Sequence, residues 1–124
     1  RMSTIETQNF KDLATSKSVD AAYVTDGTAK SLLTCTSAGV ISSSLNVSSI
    51  SDDGTGDVSM SFTSAFEAAT YTSQVSCYNP GIGSLRFGSF NVVATGSLDW
   101  LTVNASGSDR DPTYHYVSVF GDLA

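Results

Sequence analysis

Charge is scarce in this chain. Asp, Glu, Lys and Arg make up 15% of its 124 residues, with six basic groups against twelve acids. Beyond Lys30 the basic residues are Arg86 and Arg110 alone, so there is no cationic stripe to follow a phosphate backbone, and no nucleic-acid partner is expected. The same imbalance would repel an anionic membrane surface. No apolar run reaches the length of a membrane span, and residues 1–10 lack the unbroken apolar segment of a signal peptide, so no membrane insertion is expected. Histidine occurs once, as His115, and cysteine twice, as Cys35 and Cys77. Neither cysteine has CxxC spacing or a histidine close by in sequence, which speaks against zinc, and no cofactor is expected. Two lone cysteines on alternating strands read first as small buried hydrophobes, with a disulfide as the alternative.

Hydroxyl groups fill the space that charge leaves. Ser and Thr account for 36 residues, a composition that suits solvated strand faces and suits helix interiors badly. Alternating apolar and polar residues between turn signals place strands at 32–36, 45–50, 58–63, 71–77, 87–95, 99–104 and 114–120. The fifth of these is largely apolar, as befits a central strand. The expected fold is an all-β sandwich of about seven short antiparallel strands, spanning 31–124. Residues 1–30, balanced in charge, form an arm or linker in this reading. Ile5, Phe10 and Leu13 give residues 1–16 a weak helical spacing, and 17–30 read as extended. Arg1 before Met2 suggests that the chain is a piece of a longer protein.

Asn46 to Thr63 is the most informative stretch. Val58, Met60 and Phe62 alternate with Ser59, Ser61 and Thr63, giving one apolar and one hydroxyl face. Asp52, Asp53, Gly54, Gly56 and Asp57 supply the turn chemistry of a hairpin. In order along the chain stand Gly27–Thr28–Ala29–Lys30, Asn46–Val47–Ser48–Ser49, Gly54–Thr55–Gly56–Asp57, Asn104–Ala105–Ser106–Gly107, Asp111–Pro112 and Val117–Ser118–Val119–Phe120. This co-linear set resembles the C-terminal tip domain of bacteriophage tail fibres, in register from Gly27 to Phe120. The chain departs from that pattern after Lys30, at Val58 and at Glu67–Tyr71, where the family favours other residues. The resemblance implies a homotrimer on the virion, made in the bacterial cytoplasm. It implies attachment to the host through a surface polysaccharide or an outer-membrane protein.

Other chemistry has plainer explanations. Asp52, Asp53 and Asp57 lack the order of a calcium loop, and turns use such residues to bond their own backbone. Asp109 and Asp111 flank Arg110 in a run that reads as a solvated loop, where a glycosidase needs two carboxylates across a cleft. His115 lies in a strand, and no serine sits in a nucleophile elbow. No catalytic residue, metal site or enzyme activity is therefore expected. The two Asn-x-Ser sequons are chance matches in so Ser-rich a chain. Trp100, a strand residue, reads as core.

Contact residues are sought in the two longest polar loops, 79–86 and 105–114. Each is bracketed by an Arg and a Tyr, the types that most often anchor interfaces. The expected receptor-binding residues are Tyr78, Asn79, Arg86, Arg110 and Tyr114, with the two arginines suited to an anionic glycan. A structural cap without receptor contact is the alternative, and a depolymerase the remotest.

Overall fold

The structure is a computed structural model that describes residues 8–11, 18–81 and 85–124. An N-terminal element precedes the body. Strand β1 (Asn9–Lys11) pairs antiparallel with β2 (Ser18–Asp20), and helix α1 (Ala21–Gly27) follows directly. The helix begins where it does because the Asp20 carboxylate accepts the Ala22 N–H at 2.9 Å, satisfying one of the donors that a helix start leaves open. Its end is closed by Lys30, whose Nζ donates to the carbonyls of Thr25 and Thr28. This corrects two expectations. Asn9–Lys11 is strand rather than helix, with the rest of 1–16, apart from Gln8, outside the described residues, and 17–30 is not extended throughout. Helix α1 buries no residue, so it left no apolar periodicity to read.

The body is an all-β sandwich of two four-stranded antiparallel sheets. One sheet has the order β4 (Ile41–Leu45), β3 (Ser31–Thr36), β10 (Tyr114–Phe120), β7 (Thr72–Tyr78). The other has the order β5 (Val47–Gly54), β6 (Asp57–Phe62), β9 (Ser97–Val103), β8 (Phe87–Val93). Alternation produces the core directly. Leu33, Cys35, Val117 and Val119 face inward from the first sheet, and Val58, Met60, Phe62, Leu98 and Trp100 from the second. Phe66, in the β6–β7 connection, closes one end, with Phe62 and Tyr71 edge-on or tilted against it at ring separations of 4.8 and 4.5 Å.

Eight strands, not seven, make the sandwich. The stretch 45–50 is split by Asn46, which takes φ 55° and so turns the chain out of β4 in one sheet and into β5 in the other. Asn tolerates this left-handed conformation better than most residues. Its side chain then fixes the crossing: Nδ2 donates to the Ser64 carbonyl at 3.0 Å, and Oδ1 accepts the Ser64 N–H at 2.7 Å. Strand β8 is an edge strand, not a central one. Its apolar residues Phe87, Val92 and Val93 stay exposed.

Candidate functional site

The register gives the sandwich two distinct ends. At one, Lys30 donates its N–H to the Val119 carbonyl at 2.8 Å, docking the N-terminal element beside the end of β10, and Leu123 bridges to Phe66. The opposite end collects four connections. Tyr114 pairs with both Thr36 and Tyr78, while Phe87 pairs with Val103. The β3–β4 turn, the β5–β6 turn, the 104–113 loop and the described ends of the β7–β8 connection, 79–81 and 85–86, therefore share that end.

The base of the longer loop is held by a compact network. Gly56, at φ 71°, lies so close to its neighbours that a Cβ there would fall 2.4 Å from the Thr102 carbonyl oxygen and 2.9 Å from the Arg110 nitrogen. Thr102, wholly buried, donates its N–H to the Gly56 carbonyl at 2.7 Å and its hydroxyl to the Arg110 carbonyl at 2.8 Å. The Asp111 carboxylate accepts the Gly56 N–H at 2.6 Å. Beyond this base Asn104 shapes the tip, its Oδ1 accepting the N–H groups of Ser106 and Ser108 at 3.1 and 2.9 Å. Gly56 and Asn104 thus serve the backbone.

The five sequence-derived contact residues divide into two sets. Tyr78, Asn79 and Tyr114 come together: the Thr113 N–H donates to the Tyr78 carbonyl at 2.9 Å, and the Thr113 hydroxyl to Asn79 Oδ1 at 3.3 Å. The Tyr78 and Tyr114 rings lie 6.4 Å apart. Arg86 is half-buried, with Nη1 donating to the Leu85 carbonyl and Nε enclosed. Its charge bears on the Cys77 thiol, which burial pushes up in pKa while Arg86 draws it down. Arg110 is exposed and donates to the Asp109 carbonyl at 2.9 Å, so its loop is fixed by the Asp111 carboxylate and by backbone rather than by the guanidinium.

A further aromatic ring stands beside this group. Tyr116 stacks on Tyr114 at 6.4 Å with a 27° interplanar angle, extending the Tyr78–Tyr114 pair into a line of three rings that runs onto the sheet face. The signal was present, since Tyr114 and Tyr116 alternate against His115, Val117 and Val119, but it sat in a strand rather than a loop.

Cys35, His115 and Cys77 occupy one cross-strand row on the inner face, with His115 between the thiols. The structure thus supplies the histidine neighbour that the linear sequence hides. Two strand spacings separate the cysteines by roughly 10 Å, beyond disulfide reach, and both are free. Among the described residues no three His, Cys, Asp or Glu side chains are placed to hold a metal ion. On the outer face of the second sheet, Asp99 has its pKa raised by partial burial and then by the charges of Asp53 and Asp57. Asp53 itself is held below the usual carboxylate range by hydroxyl hydrogen bonds from Ser59 and Ser51. No helix among the described residues is long and apolar enough to cross a membrane. No protein-family model, no curated protein and no solved structure matches the chain.

Proposed function

We propose that this chain is the receptor-binding tip domain of a phage tail fibre, acting in the virion as a homotrimer that attaches to a polysaccharide or outer-membrane protein of the bacterial surface. The observation that carries this reading is the polarity of the sandwich. The N-terminal element and the last residues meet at one end, and four connections with the Tyr78–Asn79–Tyr114 group gather at the other. That arrangement suits a domain carried at its arm end and presented at its loop end. The trimer is supported by the apolar residues left on and beside the β8 edge, Leu85, Phe87, Val92 and Val93, which a neighbouring copy could cover. Three weak sites on one tip gain effective concentration without new contacts. The role is binding without turnover.

Labelled protein added to permissive cells and to receptor-deficient cells tests the reading. Selective labelling of the permissive cells is expected, and Tyr114→Ala should weaken it by about 2 kcal/mol. Equal labelling of both, or of neither, would favour a structural cap, and release of reducing sugar would point to an enzyme. Light scattering of the full chain checks the trimer.

A further inference from the structure

The charge of the body is distributed on one side. None of the four strands β4, β3, β10 and β7 contains Asp, Glu, Lys or Arg, whereas Asp52, Asp53, Asp57 and Asp99 all lie in the opposite sheet. On the outer face of the uncharged sheet, Ser43, Thr34, Tyr116 and Ser76 form one row across all four strands, and Ser118 and Gln74 stand next to it. A groove of about 670 Å³ takes in all six, and apolar residues that include Leu32, Val75 and, from the edge strand β8, Phe90 complete its lining.

We propose that this groove binds a neutral oligosaccharide, with Tyr116 as its stacking platform. The inference rests on the attachment reading and names the class of receptor. Hydroxyls and a carboxamide both donate and accept, as sugar hydroxyls do. No side-chain hydrogen bond among the described residues occupies Thr34, Ser43, Gln74, Ser76 or Ser118, which leaves them available to a ligand. The Tyr116 ring, 41% exposed and backed by Tyr114, offers an apolar face for the C–H side of a pyranose. The volume falls within the range of small-molecule sites. With no cation in the sheet and a net charge of −6 on the chain, an anionic polymer is disfavoured. A second copy of the chain is a poorer occupant, because an open hollow of this volume, mixing hydroxyls with apolar side chains, is not the close-packed core of a copy–copy interface.

The test is electrophoresis of the full chain through gels containing dextran, mannan or galactan, with alginate as the anionic control. Retardation by at least one neutral polymer and not by alginate is expected. Tyr116→Ala and Ser76→Glu, both at exposed positions, should each weaken retardation at least tenfold with the circular dichroism spectrum unchanged. Four results would overturn the proposal: no retardation in any neutral gel, stronger retardation by alginate, retardation indifferent to both variants, or a Ser76→Glu chain that loses its oligomeric state and so marks the face as a copy–copy contact. Cell labelling separates this proposal from its parent. If wild type and Ser76→Glu label cells equally, attachment stands and this face is not its site. If wild type labels none, the attachment reading falls, and the gels alone decide the groove.

Discussion

The indole N–H of Trp100 donates to Nδ1 of His115 at 3.0 Å, joining the two sheets through the middle of the core. Both side chains are fully buried, and their rings meet edge-on at 5.7 Å. Because Nδ1 accepts, the ring proton sits on Nε2, and the imidazole is held neutral. Burial lowers its pKa to about 4, with Asp111 and Asp52 pulling weakly the other way.

That relationship sets a pH dependence. Between an unfolded value of 6.5 and a folded value of about 4, the unfolded chain binds more protons at this site than the folded one. Stability from the neutral histidine is therefore complete above the unfolded value and is lost as pH falls towards the folded one, by at most about 1.4 kcal/mol per pH unit. His115→Asn sets its Oδ1 about where Nδ1 stands, keeping an acceptor for Trp100, and removes the titration. Urea midpoints at pH 7 and pH 4.5 should differ less in the variant than in the wild type, and equal differences would contradict the assignment.

Gly56→Ala should destabilise the fold by about 3 kcal/mol, since the added methyl meets carbonyl oxygen and backbone nitrogen at a positive φ. Chemical denaturation measures it. A loss under about 1 kcal/mol would mean that the β5–β6 turn and the 104–113 loop can separate without cost.

At the sheet crossing, Asn46→Ala removes both side-chain bonds to Ser64 and places a Cβ residue at φ 55° without them. A loss of about 2–3 kcal/mol is expected. Asn46→Gly should recover about 1 kcal/mol of this by relieving the backbone alone. Indistinguishable stabilities for the two variants would show that conformation plays no part there.

Burial pushes the Cys35 thiol up to about 11, and raises Cys77 against the opposing influence of Arg86. Only the thiolate reacts. Native protein at pH 8 should consume a thiol reagent slowly at both sites, Cys77 ahead of Cys35, and promptly at both in denaturant. A fast native phase at either site would place that sulfur in a different environment.

Most strands were legible because their two faces differ. Val58, Met60 and Phe62 against Ser59 and Ser61 yield the alternating burial of β6 without further information. Strand β4 was not, because ISSSL is exposed along its whole length and carries no alternation to detect. For β8 the apolar run was plain, but a run of that kind reads alike whether it is covered on both faces or left bare at an edge, and only pairing tells them apart. The site was partly legible. Turn chemistry located both loops, while register alone brings them to one end and joins Tyr78 to Tyr114. Tyr116 stands in a strand rather than a loop, and turn chemistry says nothing of the row of side chains that a sheet presents.

In the proposed role, attachment at one end and suspension from the other would have a mechanical consequence. A pull on the arm reaches β3 at Ser31, while a grip on the loops holds the far ends of β3, β10 and β7. The strands then lie along the line of tension, and neighbouring strands are dragged lengthwise past one another, so the hydrogen bonds of a ladder yield together or not at all. A peeling load would break them one after another. The orientation of the sandwich would thus make a domain in that proposed role most resistant along the axis on which a tethered particle would tug.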